Sequence, residues 1–283
     1  MAFLWHISLL GEFRVQNGAE EPLHFDTRQT TALLAYLSFY GHRAHSREIL
    51  AEHLWPDEDV NATRARLRTA LWAIRRLLEP RSMSGTVLNS SRSDVQLLAH
   101  AFTTDVANFE QAIEKAEKAK DPVIYTTLLN EALELYNGEL LPGFYENWIP
   151  TERERLATLY RKHLLKAAIN SRDLNNLSLA LEFARKATTS DPYWEEAHQI
   201  LIDLYIRGGQ QVEAIRHYQE FERMLRKEMG LKPSDAIRNQ IAHIQTSKSP
   251  TASSQTWNSS LPVINLFALE PEGGSVPDRK SVV

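Results

Sequence analysis

The second half of the chain, from about residue 103 to about residue 245, has helical apolar spacing in every strongly patterned segment. Apolar residues three or four positions apart lie on one face of a helix, whereas a strand requires alternation. Helix starts are expected at Asp121-Pro122, at Pro150, near Arg172, at Asp191-Pro192, at Gln210 and near Ser234. The pattern therefore predicts an all-α array of helical hairpins.

Two features indicate a repeat within this array. Ala180-Leu181 and Ala214-Ile215 are 34 residues apart, which is the tetratricopeptide period. A Gly208-Gly209 turn separates predicted helices at 193–207 and 210–229. Large residues are expected to pack between helices and small ones to lie at close crossings: Trp148, Trp194 and Tyr205 are the large residues, and Ala180, Ala184, Ala197 and Ala214 the small ones.

The first hundred residues begin with period-two spacing. Phe3, Trp5, Ile7 and Leu9 alternate with other residues, and Leu23 and Phe25 restart the pattern after the turn dipeptide Asn17-Gly18. This predicts a small antiparallel sheet. A helix follows over about residues 27–40, with Asp26 and Gln29 as a capping box and Gly41 at its end.

Two further helices and a hairpin complete this region. Ser46 caps the second helix, which is closed by Pro56. The third helix starts after the acidic DEDVN and runs to Pro80. Val87-Leu88 and Val95 to Leu98 then flank a polar tip and read as a hairpin. The predicted order is sheet, three helices, hairpin.

Composition excludes most catalytic chemistry. The chain has no cysteine, so thiolate metal sites, disulfides and cysteine nucleophiles are absent, and its eleven glycines form no phosphate-binding or nucleophile-elbow motif. His42 and His45 alone are a weak metal signal, and the acidic pairs read as solvated faces. We expect a non-enzyme without cofactor, metal or catalytic residues. No apolar run is long enough to span a bilayer, which favours the cytoplasm.

Arginine is concentrated around the third helix. Residues 61–92 contain seven arginines against Glu79 alone, although residues 1–100 are balanced at eleven arginines and eleven acidic residues. On a helical wheel, Leu67, Leu71, Ile74 and Leu78 form a core stripe flanked by Ala70 and Leu77. The opposite face carries Ala65, Thr69, Trp72 and Arg76, with Arg66, Arg68, Ala73 and Arg75 on its shoulders.

A helix pair followed by a basic helix and an arginine-tipped hairpin is the winged form of helix-turn-helix. Arginine's planar fork suits phosphates and guanine edges. The candidate base-reading residues are Arg68, Thr69, Trp72 and Arg76. The candidate DNA-backbone contacts are Ser46, Arg47, Arg64, Arg66, Arg75 and Arg92. The alternative for this helix is a solvated arginine face without ligand.

The sequence resembles the bacterial transcriptional activator domain proteins, best known as the Streptomyces antibiotic regulatory protein family. The resemblance covers about residues 1–245 and is carried by ATRARLRTALWAIRRLLEP, ALELYNGELLPGF and KEMGLKPS, among other stretches. It implies a response-regulator-type winged helix followed by a tetratricopeptide-like domain. It also implies an activator that binds direct repeats in promoter DNA, contacts RNA polymerase and is a homodimer at least on DNA.

Carried over by position, the recognition helix is residues 62–78 and the wing tip Asn89 to Ser93. Arg68, Ala70 and Trp72 depart from the polar residues common in the family, so a different DNA sequence is expected. Trp72 is also bulky enough to pack against the second domain instead.

The predicted domains are a winged helix at 1–100, the activator domain at 103–245 and a Ser/Thr/Pro-rich tail or linker at 246–283. One rival interpretation is an interaction scaffold or signalling adaptor whose winged helix does not bind DNA. The other is an enzyme with a cryptic pocket, for which the sequence places no convergent titratable groups.

Overall fold

The computed structural model describes residues 4–18, 21–56, 58–79 and 85–247. The predicted tail at 246–283 lies outside the described residues apart from its first two, which end the last helix. No helix within the described ranges is long and apolar enough to cross a membrane.

Six strands and ten helices are found among these residues. The strands are β1 (Trp5–Ser8), β2 (Arg14–Asn17), β3 (His45–Ser46), β4 (Leu88–Ser90), β5 (Asp94–Leu97) and β6 (Phe102–Thr104). The helices are α1 (Arg28–Phe39), α2 (Arg47–Leu54), α3 (Val60–Leu78), α4 (Asp105–Glu117), α5 (Pro122–Glu134), α6 (Ile149–Asp173), α7 (Leu177–Ser190), α8 (Glu195–Arg207), α9 (Gln211–Met229) and α10 (Asp235–Ser247). We call the part up to β6 the N-terminal half and the part from α4 the helical half.

The first sheet has the order β2-β1-β6. β1 and β2 are antiparallel, as predicted, with Ile7 opposite Val15. β6 pairs with β1 in parallel, so the sheet is mixed and the prediction of an antiparallel sheet holds only for β1 and β2. The predicted turn at Asn17-Gly18 is present, with Gly18 at φ +59°, but it follows β2. The reversal that joins β1 to β2 lies earlier, between Ser8 and Arg14, where Gly11 takes φ +79°. Leu23 and Phe25 lie outside any strand, although the Leu23 N–H donates to the Val15 carbonyl at 2.8 Å.

The three predicted helices and the hairpin follow in the expected order. The capping box at Asp26 and Gln29 is wrong, because Thr27 caps α1 and its hydroxyl accepts from Thr30 N–H at 3.2 Å. Ser46 caps α2, as predicted. The hairpin of β4 and β5 gains a third strand, since β3 pairs with β5 in the order β3-β5-β4.

The predicted core stripe of α3 is confirmed except at one edge. Leu67, Leu71, Ile74 and Leu78 are at most 5% exposed, whereas Leu77 is 36% exposed. Leu77 lies at the margin of the stripe, where the angular position on the wheel alone does not decide burial.

The helical half is a succession of packed helical hairpins, and the four predicted alanines are fully buried at their crossings. Two predicted starts are wrong. α6 continues to Asp173, so α7 begins at Leu177 after the Asn176 cap, and residues 191–194 form a turn before α8. Trp148 is also misplaced by the sequence prediction: its ring packs against α1 of the N-terminal half.

Candidate nucleic-acid interface

Helix α3 is the longest helix of the N-terminal half, and Asp59 caps its N-terminus. The Asp59 carboxylate accepts from Asn61 N–H at 2.8 Å and from Ala62 N–H at 3.3 Å. This cap satisfies backbone donors that the first turn leaves unpaired. The helix then runs for 19 residues with one face buried against the domain and the other exposed.

All four predicted base-reading residues lie on the exposed side of α3. Arg68, Thr69 and Arg76 are exposed, and Trp72 is 59% exposed. An exposed tryptophan of this degree is unusual, because burial of an indole is strongly favourable. The side chains are therefore available to a ligand on this face, and their part in base reading stays a prediction.

Three of the arginines around this face differ in their present partners. Arg64 pairs with Glu48 at 3.0 Å and Arg66 with Glu58 at 2.8 Å, and both arginine side chains are more than half exposed. Exposed pairs of this kind contribute only about 0–1 kcal/mol, so a phosphate can replace the carboxylate at little cost. Arg68 has no ion pair among the described residues.

Arg75 is engaged within the domain. Its Nη2 donates to the Leu88 carbonyl at 3.0 Å, and its Nε lies 3.3 Å from a carboxylate oxygen of Glu79. The side chain is 37% exposed. Arg75 is therefore less available for phosphate than Arg64 and Arg66, whose side chains are more than half exposed.

Glu79 has a structural role beside α3 that the sequence reasoning missed. Its side chain is 1% exposed, and its carboxylate accepts from the N–H groups of Gly85 (2.8 Å), Val87 (2.9 Å) and Leu88 (2.7 Å). It thus fixes the start of the β4–β5 hairpin, the wing, to the end of α3. The available signal was its position as the single acidic residue in an arginine-rich stretch.

The wing is also fixed to the start of α2. The Arg47 N–H donates to the Ser93 carbonyl at 2.8 Å, and the Arg47 guanidinium donates to Ser90 Oγ at 2.9 Å and to the Ser91 carbonyl at 3.2 Å. Ser46 Oγ accepts from Glu48 N–H at 3.3 Å. Arg47 is therefore half-buried and connects the start of α2 to the wing. Arg92 at the wing tip is exposed and has no partner within the described part of the chain.

A groove of about 470 Å³ runs beside α3. It is lined by the buried Trp55, by Trp72 with its neighbours on α3, and by five residues before and at the start of α1: Phe25, Asp26, Thr27, Gln29 and Thr30. These residues all belong to the N-terminal half. The alternative in which Trp72 packs against the second domain is therefore wrong.

The two histidines considered as a weak metal signal do not form a site. Among the described residues, no group of three or more histidine, aspartate or glutamate side chains is placed to hold a metal ion. His45 is buried with Nε2 3.1 Å from the Tyr40 carbonyl, and burial lowers its pKa. These contacts are typical of a histidine that packs in the core.

Residues 104–245, half of the chain, match the family model described as the bacterial transcriptional activator domain. The chain belongs to the bacterial transcriptional activator domain family. The resemblance inferred from ALELYNGELLPGF and KEMGLKPS is thereby confirmed, because both motifs lie within the matched range.

Two curated relatives of this activator domain protein are regulatory proteins by name. Regulatory protein AfsR of Streptomyces coelicolor is 29% identical over 221 residues, which are 77% of this chain and 22% of the relative. Regulatory protein AfsR of Streptomyces griseus is 25% identical over 243 residues, covering 84% and 24%. The chain thus spans less than a quarter of the length of either relative. The match agrees with a regulator of the Streptomyces antibiotic regulatory protein type.

A solved structure shows the same fold. Mycobacterium tuberculosis EmbR, in complex with a low-affinity phosphopeptide, superposes with a TM-score of 0.68 at 18% sequence identity. The match covers 88% of this chain and 66% of that one. The activator domain protein therefore shares its arrangement of an N-terminal sheet-containing half and a helical half with EmbR.

Proposed function

We propose that the protein is a sequence-specific DNA-binding transcription regulator, an activator that reads promoter DNA with α3. One observation carries this proposal: Arg68, Thr69, Trp72 and Arg76 share one exposed face of α3, and the wing presents Arg92 in the open. A solvated arginine face alone does not account for an indole exposed at its centre.

In this proposal α3 lies in the major groove, where its width accepts a helix. Arg68 and Arg76 contact base edges bidentately, and Thr69 and Trp72 contact thymine methyl groups. Arg64, Arg66 and Arg92 contact phosphates, with lesser parts for Arg47 and Arg75. The free N–H groups at the start of α2, beside Ser46, favour a phosphate through the helix dipole.

The helical half has a different part in the proposal. Residues 101–283 carry 21 basic and 25 acidic residues, so this part of the chain gives no net attraction to phosphate. We assign it the assembly of a homodimer on promoter direct repeats and the contact with RNA polymerase, in the cytoplasm. Linking two weak sites raises overall affinity by about 10² to 10⁴, which a tandem operator exploits.

A second candidate is a protein-interaction scaffold whose winged helix does not bind DNA. A groove of about 760 Å³ on the helical half favours it. The groove is lined by the stacked rings of Tyr136 and Tyr160 and by Arg185 and Lys186 of α7, among other residues. The salt dependence of DNA binding distinguishes the two candidates. Each phosphate contact makes the slope of log K for DNA binding against log salt concentration more negative by about 0.9.

The deciding experiment is selection of bound fragments from genomic DNA of the source organism, followed by binding measurements with Arg68→Ala and Arg76→Ala. One good base contact contributes roughly 1–3 kcal/mol of discrimination, so each variant is expected to bind the selected site about 5- to 150-fold more weakly. The matched control is Arg223→Ala, an exposed arginine on α9. Binding by both α3 variants equal to that of the parent contradicts the assignment of α3.

A further inference from the structure

The α5–α6 connection, residues 135–148, contains the family motif LYNGELLPGF and lies against the N-terminal half. The Gly11 N–H donates to the Glu139 carbonyl at 2.8 Å, and the Leu141 N–H donates to the Leu9 carbonyl at 2.8 Å. Leu10 and Leu140 pair between these bonds as an antiparallel bridge. The motif therefore continues the chain reversal after β1 as a short two-stranded contact between the halves.

This contact requires unusual backbone geometry. Leu141 takes φ +46°, a left-handed conformation that is unfavourable for a non-glycine residue. A Cβ added at Gly138 would lie 3.2 Å from Gly11 Cα, and Gly138 takes φ +150°. Two glycines, Gly11 and Gly138, thus meet at this contact between the halves. Strain that the surrounding structure maintains points to a function for the segment.

The helical half holds both sides of this contact in place. Arg153 of α6 donates from Nε to the Leu140 carbonyl and from Nη2 to the Leu141 carbonyl, each at 2.8 Å. The Asp105 carboxylate, at the start of α4, accepts from Leu9 N–H at 2.8 Å and from Leu10 N–H at 2.9 Å. Three consecutive N–H groups after β1 are therefore satisfied by residues of the helical half.

The other end of the connection reaches α1. The Trp148 ring lies 5.6 Å from Tyr36, 5.1 Å from Phe39 and 5.6 Å from Tyr40, measured between ring centres. The Tyr40 hydroxyl donates to Glu152 of α6 at 3.1 Å. Aromatic pairs of this kind stabilise a contact beyond the effect of burial alone.

Arg28 adds a third point of contact. Its guanidinium donates to the Gly143 carbonyl at 3.1 Å and lies within 5.7 Å of the ring centres of Phe144 and Tyr145. Arg28 opens α1, and α1 packs directly against α3. The connection is therefore linked to the proposed reading helix through a single intervening helix.

We infer that the α5–α6 connection is a positioning element that fixes the orientation of α3 relative to the helical half, so that the spacing and phase of paired DNA sites are read. Trp148, Gly138 and Arg28 are its positioning residues. The inference rests on the proposed function, because it assumes that α3 reads DNA. This role agrees with the position of the motif, in which Leu140 and Leu141 are fully buried.

The first test measures orientation without DNA. The chain has no cysteine, so Glu52→Cys on α2 and Gln219→Cys on α9, both exposed, give two unique spin-label positions in the full chain. The parent is expected to give one narrow interspin distance distribution, and Trp148→Ala a distribution at least twice as wide. Trp194→Ala, a half-buried tryptophan of the helical half, is the matched control and is expected to leave the width unchanged.

Arg28→Ala is the second variant. Arg28 is exposed, so its removal leaves the core intact and keeps the test decisive where Trp148→Ala fails to fold. Arg28→Ala is expected to widen the interspin distance distribution, as Trp148→Ala does. Widths equal to the parent's in both variants overturn the inference.

The second test uses the selected genomic DNA with one repeat or two. Trp148→Ala and Arg28→Ala are expected to change single-repeat affinity by less than threefold and to reduce two-repeat affinity at least tenfold, since linkage is worth about 10² to 10⁴. Insertion of about 5 bp between the two repeats rotates one repeat by half a helical turn relative to the other. It should lower the two-repeat affinity of the parent strongly and that of the variants little. Equal phase dependence in parent and variants overturns the inference. A parent that binds no genomic fragment refutes the proposed function instead, whatever the distance distributions show.

Discussion

The guanidinium carbon of Arg76 lies 5.4 Å from the centre of the Trp72 ring, on the exposed face of α3. The residues are four positions apart, so the helix itself brings them together. The contact orients the arginine and leaves the rest of the indole face free. An exposed cation–π contact contributes about 0.5–1 kcal/mol in water and about 2 or more once desolvated, as it would be against DNA.

Trp72→Ala is expected to weaken binding to the selected site by about 1–3 kcal/mol, because it removes both a base contact and the orientation of Arg76. Trp72→Phe should retain part of the affinity, since the ring face remains. Fluorescence anisotropy with labelled operator DNA measures both. Tyr193→Ala, another exposed aromatic residue, serves as control. An unchanged affinity of Trp72→Ala would remove this residue from the interface.

Arg92→Ala is expected to lower affinity for all DNA sequences about equally and to reduce the slope of log K against log salt by about one. Arg92 is exposed at the wing tip, and in the proposed function it contacts the DNA backbone, which carries no sequence information. Titrations of the selected site and of a scrambled duplex at four salt concentrations test this. A changed base preference would contradict the assignment to phosphate.

Glu79→Ala is expected to lower the free energy of unfolding by roughly 3 kcal/mol or more. The substitution leaves three backbone donors and Arg75 without their buried acceptor. Glu79→Gln should be milder, because the amide oxygen still accepts. Urea unfolding measures the loss, and Glu52→Ala on the exposed side of α2 is the control. Equal stability of Glu79→Ala and Glu52→Ala would show that the carboxylate does not hold the wing.

The stability of the helical half is expected to fall as the pH falls from 6.5 towards 4. Burial and the neighbouring His217 lower the pKa of His198 to about 4, and burial lowers that of His217 as well. In the unfolded chain the histidine pKa is near 6.5, so between pH 6.5 and pH 4 the unfolded chain binds protons that the folded protein does not bind. The contribution of these histidines to stability is therefore complete above pH 6.5 and is lost as the pH falls. His198 alone should remove roughly 2 kcal/mol between pH 7.5 and pH 5.

Urea unfolding at pH 7.5 and pH 5 measures this difference in the free energy of unfolding, and His198→Gln is expected to reduce it. The His198 ring also stacks on Phe221 at 3.8 Å and has Nε2 2.9 Å from the Pro192 carbonyl, so the substitution changes stability at every pH. The parent and the variant are therefore compared by the slope of the unfolding free energy against pH. His6→Gln, on an exposed side chain of β1, is the control. A slope in His198→Gln identical to the parent's would exclude the buried histidine as its source.

Local patterns predicted the parts of this fold that depend on one element at a time. The buried stripe of α3 follows from helical spacing around Leu67, and the Asp121 and Ser46 caps follow from side chains that satisfy neighbouring N–H groups. The candidate reading face was predicted for the same reason. It is the side of one amphipathic helix opposite the core.

Contacts between distant segments were not predictable in this way. β3 is two residues long, and only its partner β5, almost fifty residues later, makes it a strand. Trp148 was assigned to the helical array because its spacing identifies a helix start and carries no information on which surface it meets. Glu79 was missed because its three N–H donors come from the following hairpin.

The parallel pairing of β1 with β6 joins Trp5 to Phe102, so the side of β1 that faces away from β2 is paired only by residues that follow α1, α2, α3 and the β4–β5 hairpin in the chain. During synthesis this side of β1 has no partner strand until nearly a hundred further residues have been made. Closing so long a loop slows folding, although the added entropic cost grows only logarithmically with length. Asp105 comes directly after β6, and its carboxylate accepts from the N–H groups of Leu9 and Leu10 after β1. The biosynthetic order therefore makes the N-terminal half wait for the first residue of the helical half before it can be completed.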